Sequence, residues 1–181
     1  LCNFEGKAIY MDDDMIVRDD IAKLWDQPFQ PGKVVIAKAS GRLCVSLWDC
    51  ASARRAMPYP PESLRLPDGH NRMRLLMNRQ PEIVQPFVGN WNCLDGENYA
   101  RLDDPDIKCL HMTSMPHQPA VPHAAKRLAA TGRKHWFDGT VTAHFRPGIA
   151  ALFDQLLGEA EVNGYPVSRY DDDGSSFGDY R

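Results

Sequence analysis

Three consecutive carboxylates, Asp12-Asp13-Asp14, follow directly on the apolar run Ala8-Ile9-Tyr10-Met11. A strand that ends in closely spaced acids presents them together at one edge of a sheet. In an open α/β sheet that edge is where ligands bind. Asp12 and Asp14 are two residues apart, so on an extended backbone they point the same way. Two oxygen donors on one side of a strand end form half a site for Mg²⁺ or Mn²⁺. An ion held there has the charge to grip a diphosphate.

Acidic triplets are also common in solvated loops, so the surroundings must decide. Met15-Ile16-Val17 resumes the apolar character at once, and the triplet therefore interrupts a buried segment. Asp19-Asp20 is placed to cap the short helical stretch Ile21-Ala22-Lys23-Leu24-Trp25. A second triplet, Asp171-Asp172-Asp173, has no apolar strand before it and reads as solvated, within a flexible polar tail over residues 168–181.

The rest of the chain reads as alternating strands and helices without internal repeats. Lys33-Val34-Val35-Ile36-Ala37 is a buried strand after the turn Pro31-Gly32, and Leu43 to Trp48 is another. Four prolines between Met57 and Pro67 mark an irregular connection. Met73, Leu76 and Met77 recur at helical spacing within residues 71–78. Residues 81–89 read as extended and residues 90–95 as a strand or strand end. Pro122 suits the first turn of a helix ending near Gly132. A last helix from about Pro147 carries the stripe Ile149, Leu152, Phe153, Leu156 and Leu157, a core or subunit contact.

Composition bounds the class. At 181 residues, with 43% hydrophobic and 25% charged residues, the chain suits one soluble domain, here taken as residues 1–167. A net charge of -3 argues against nucleic acid as a partner, which would need a basic face. Apolar runs are too short for a transmembrane helix. Five cysteines without a C-x-x-C pair indicate neither a disulfide framework nor a zinc knuckle. Several lie in strands, where a free thiol behaves as a small core residue, and a reducing, cytoplasmic location fits best.

Residues 6–17, followed by Asp20-Ile21-Ala22 and Leu24-Trp25, resemble the nucleotide-sugar site of glycosyltransferase family 8 and its close bacterial relatives. The resemblance implies an α/β GT-A fold, a Rossmann-like, mainly parallel sheet flanked by helices. It implies a UDP-sugar donor, a divalent ion and retention of anomeric configuration. It also implies that Asp12 and Asp14 contact metal and donor, with Asp13 beside them. The strand Ile107-Lys108-Cys109-Leu110 runs into His111, which the family pattern makes the third metal ligand. Residues 44–50 and 91–95 match inner strands of these enzymes more loosely. After His111 the pattern departs: Ser114 stands at the usual Gly, His117 at the usual Lys, then Gln118-Pro119. Lys126, Arg127, Arg133 or Lys134 would have to replace that Lys against phosphate. By the same resemblance the N-terminal strands of the fold are missing, and the chain reads as a fragment.

These residues set the expected chemistry. An ion clamped by Asp12, Asp14 and His111 neutralises charge on the leaving diphosphate. Two carboxylates and an imidazole suit Mn²⁺ better than Mg²⁺. Asp95 is the candidate for touching the sugar or its acceptor, against the plainer reading of a turn residue in Leu94-Asp95-Gly96. Trp91 offers a stacking face, although Trp in a strand is more often core. Asn92, His117, Gln118, His135 and Trp136 are further candidates for the donor pocket. The leading expectation is a metal-dependent glycosyltransferase acting on an unknown acceptor, as a monomer or a homo-oligomer. The alternatives are a non-catalytic carbohydrate- or metal-binding module and a metal-dependent phosphohydrolase.

Overall fold

The computed structural model describes residues 5–38, 42–56, 66–97, 102–130, 132, 134–135 and 137–165. The chain divides into two units, Leu1–His111 and Met112–Arg181.

The first unit is built on two sheets. One has the order β1-β4-β3-β5, from Lys7–Met11, Arg42–Asp49, Val35–Lys38 and Val84–Gln85. The other has the order β2-β7-β6, from Met15–Val17, Cys109–His111 and Cys93–Leu94. The long ladders β1–β4 and β3–β4 are antiparallel, as is β2–β7. The pairs β3–β5 and β6–β7 are parallel and short. This corrects the expectation of a mainly parallel, Rossmann-like GT-A sheet. The reason is chain geometry. Residues 39–41 are all that separates β3 from β4, and a parallel pair needs a crossover of a dozen or more residues.

Strand β4 has side chains from both of its faces in the core. Its register pairs Val35 with Trp48 and Ile36 with Leu47. Alternation then sends Val35, Ala37 and Trp48 to one face, where they pack with Val34 and with Ala53 of α2 (Cys50–Ala56). Ile36, Val45 and Leu47 pack on the other face with Leu24, Trp91 and Cys109. A strand buried on both faces needs continuous apolar character, which explains the unbroken run Val34-Val35-Ile36-Ala37. Each fully buried Leu or Ile contributes on the order of 1.5–3 kcal/mol.

Asp49 ends β4 and starts α2. Its Oδ1 accepts from the Ser52 N–H at 2.9 Å and its Oδ2 from the Ser52 hydroxyl at 2.8 Å. Bonding to the Ser52 N–H holds this carboxyl below the usual carboxylate range, against the opposing effect of burial. Helix α1 (Ala22–Trp25) starts under Asp20, whose Oδ1 accepts from the Ala22 N–H at 2.9 Å. Helix α3 spans Gly69–Arg79 and carries Met73, Leu76 and Met77, whose side chains lie outside the described residues. The region expected to be extended from Pro81 opens instead with a 3-10 turn, Pro81–Ile83, before β5. Most of the proline-rich connection and the acidic tail lie outside the described residues.

The second unit holds a 3-10 turn, Met115–His117, and helices α4 (Ala120–Ala130) and α5 (Ile149–Val162). Gly148, at φ +86°, sits just ahead of α5 in a left-handed conformation that a side chain would strain. The predicted stripe on α5 is buried at Ile149 and half-buried at Leu152, Phe153, Leu156 and Leu157. His123 of α4 meets α5 by a ring contact with Phe153 and lies 3.4 Å from Asp154. No helix among the described residues is long and apolar enough to cross a membrane.

Candidate metal centre

The acidic triplet is the bend that carries the chain from one sheet to the other, since β1 belongs to the first and β2 to the second. Asp12 and Asp14 are half-buried and Asp13 is exposed. Tyr10, two residues before Asp12, donates its hydroxyl to Asp12 Oδ1 at 2.7 Å.

The antiparallel β1–β4 ladder continues past its last pair, Met11 with Val45, because the Asp12 N–H donates to the Cys44 carbonyl at 2.9 Å. Asp12 and Cys44 are therefore cross-strand neighbours, and such neighbours project to the same face. In the second sheet, β7 pairs with β2 so that His111 lies opposite Met15. That register sets the imidazole beside Asp14, with Nε2 3.3 Å from Oδ1. One ligand atom each from Asp12, Cys44 and His111 falls within 4.8 Å of the others. Residues 99 positions apart in the sequence thus share one small volume, an arrangement able to bind a divalent cation.

The ring of His111 is buried and oriented from behind. Its Nδ1 lies 3.0 Å from Asn92 Oδ1, and an amide oxygen only accepts. Nδ1 therefore carries a proton, and Nε2 faces Asp14. This is the outer-shell support that metal-bound histidines normally have. Asn92 is itself fully buried, and its Nδ2 has no hydrogen-bond partner. Leaving a buried donor unpaired costs about 1–3 kcal/mol, so the amide is held in this pose by its surroundings. Lys38 fixes the backbone at this point: its ammonium donates to the Asn92 backbone carbonyl at 2.8 Å and pairs with Glu97.

Burial of the ring works against charging His111, but hydrogen bonds to the Asp14 carboxylate and the Cys44 sulfur outweigh it and raise its pKa to about 9. Without metal the imidazolium is thus the counter-ion of Asp14. A metal arriving at this site takes the place of that proton.

The remaining sequence candidates divide between the two units. Trp91 is 2% exposed and packs in the core beside Leu24 and Ile36, its Nε1 donating to the Val88 carbonyl at 3.2 Å. Asp95 is 1% exposed at the end of β6, and its backbone N–H donates to the His111 carbonyl at 2.9 Å. His117 and Gln118 belong to the second unit. His117 Nδ1 faces the Thr142 hydroxyl at 3.0 Å, and Gln118 donates to the Met112 carbonyl at 2.6 Å. His135 contacts Phe137, while Trp136, Arg133 and the Arg127 side chain lie outside the described residues. Lys126 and Lys134 are exposed in the second unit.

Cys44 is the residue that sequence reasoning missed as a ligand, having placed it on an inner strand only. The three-residue spacing between β3 and β4 signals an antiparallel pair, but the β1–β4 register that sets Cys44 against Asp12 is non-local and left no local signal.

No protein-family model and no curated protein matches this chain.

Proposed function

We propose that the chain binds a divalent ion through Asp12, Asp14 and His111 and uses it to hold the diphosphate of a UDP-sugar for glycosyl transfer with retention. The observation that carries this reading is the approach of Asp12, and separately of Asp14, to a distant, buried, oriented imidazole. The corrected sheet topology lends it no support. It rests on the site and on the likeness of residues 6–25 to family 8 glycosyltransferases.

When bound, the ion supplies Lewis-acid stabilisation of the charge that develops on the departing diphosphate. The protein's share is positional. Asp12 offers a carboxylate oxygen beside Cys44 and His111, Asp14 lies against His111 Nε2, and Asn92 holds the ring from its other nitrogen. Mn²⁺ is the expected ion for a set of two carboxylates and one imidazole. Free thiols at Cys44, Cys50, Cys93 and Cys109 accord with a reducing, cytoplasmic setting.

A second reading, a metal- or carbohydrate-binding module without turnover, draws on the burial of Trp91 and Asp95. Those side chains were the sequence candidates for touching a sugar, and neither reaches solvent.

Calorimetric titration of UDP with and without Mn²⁺ tests the proposal, on the wild type and on Asp12→Asn, Asp14→Asn and His111→Ala. The expected result is metal-dependent UDP binding that each substitution abolishes. Metal binding without UDP binding would sink the donor assignment and leave the module reading. Mn²⁺-dependent release of UDP from a UDP-sugar panel then separates turnover from binding.

A further inference from the structure

We propose that Cys44 is a ligand of the ion at this centre, so that the site takes a thiolate-preferring divalent metal, Zn²⁺ or Co²⁺, ahead of Mn²⁺ or Mg²⁺. The inference rests on the reading that Asp12 and His111 hold a metal. It is independent of whether a nucleotide sugar binds.

Geometry carries it. The Cys44 sulfur, an Asp12 oxygen and a His111 nitrogen lie within 4.8 Å of one another. A tetrahedral shell with Zn–S near 2.3 Å and Zn–N or Zn–O near 2.0 Å has ligand–ligand edges of about 3.3–3.5 Å. Side-chain rotation closes the remaining gap, because the three backbones are already fixed. The β1–β4 ladder holds Asp12 against Cys44, and the β2–β7 ladder holds His111 beside Asp14. Asp14, or an oxygen of a bound phosphate, is available as the fourth ligand.

A second and separate observation is the support behind the imidazole. Asn92, fully buried, spends its oxygen on His111 Nδ1 and leaves its own Nδ2 without a hydrogen bond. That arrangement presents Nε2, rather than Nδ1, to the cluster. It is the tautomer a metal at Nε2 requires.

The other described thiols are unlike Cys44. Cys50, Cys93 and Cys109 are buried, and Cys109 contacts the Met15 sulfur at 3.8 Å. Cys44 is half-buried and faces an imidazole. Soft thiolate ligands select Zn²⁺ and its congeners, whereas all-oxygen shells suit Mg²⁺ and Mn²⁺.

The test is a Co²⁺ titration of the whole chain, read by absorption, alongside Cys44→Ser and Cys44→Ala. The expected result is a thiolate-to-cobalt charge-transfer band that saturates at one equivalent, is bleached by Zn²⁺ and survives excess Mn²⁺. Both variants lose the band, and Zn²⁺ affinity falls by about a hundredfold, the upper end of what an outer-shell loss costs. A second measurement needs no variant. Zn²⁺ should slow alkylation of Cys44 by iodoacetamide about tenfold or more, mapped by peptide mass spectrometry, because a metal-bound sulfur is a poor nucleophile. Co²⁺ binding without a charge-transfer band, or unchanged alkylation of Cys44 under saturating Zn²⁺, overturns the inference. If UDP binding with Mn²⁺ persists in Cys44→Ser and no band forms, Cys44 is no ligand while the donor site stands. If the band forms and UDP does not bind, the thiolate site stands and the donor reading falls.

Discussion

Two acidic clusters lie within nine residues of each other, and they have opposite surroundings. Asp19 is closed off by cations: Lys23 at 2.6 Å and Lys108 at 3.0 Å. Asp20 adds its backbone N–H at 2.8 Å. The Lys23 ammonium first, then Lys108, holds the Asp19 carboxyl well below the usual carboxylate range. Asp12 and Asp14 meet a tyrosine hydroxyl, a thiol and an imidazole instead. Every one of those groups can share its position with a metal ion or yield a proton to make room. A carboxylate ringed by lysines has its counter-charge already and serves the fold. A carboxylate beside His and Cys has the partners of a coordination shell.

Removing a ligand should have the largest effect. Asp12→Asn or His111→Ala should weaken divalent-metal binding by at least about a hundredfold, more than the loss of an outer-shell partner costs, as measured by competition against a chelating dye. Asp19→Asn should leave that affinity unchanged. Equal losses at Asp12 and Asp19 would erase the distinction between the clusters.

Asn92→Ala comes next. It keeps all direct ligands but frees the His111 ring, and metal affinity should fall about 10–100-fold. An unchanged affinity would show that the ring needs no support from Asn92.

The third expectation concerns protons. In metal-free protein, His111 should titrate at about 9 by NMR, and Asp14→Asn should bring it down toward the ordinary value of about 6.5. Because the folded pKa is the higher one, the pair stabilises the fold fully below about 6.5, and the contribution is lost as pH rises through about 9. A His111 that titrates near 6.5 in the wild type would break this account.

The smallest effect belongs to Asp19. Its depressed pKa means that its contribution is present above the unfolded value of about 3.9 and is lost as pH falls below that. Asp19→Asn should lower the melting temperature slightly at low salt and less at about 1 M salt, where exposed ion pairs are screened. A salt-independent loss would point to packing instead.

What could be read from the chain was local. The apolar run ahead of residues 12–14 gave β1. The run from Ile107 gave a strand that ends at His111. The stripe on α5 was legible for the same reason, since helical periodicity is a property of near neighbours. Trp91 was ambiguous, because an aromatic residue in a strand looks alike whether it faces a ligand or the core. Tertiary packing put it beside Leu24.

The amino-acid order alone marked two acids at a strand end and one histidine at another as candidate ligands, and passed over Cys44. The tertiary structure decided which of them meet. Strand direction depends on connections and on non-local pairing, and reversing β4 relative to the parallel expectation is what brings Cys44 opposite Asp12. A periodic pattern fixes the faces of a strand, but only the sheet fixes its neighbours.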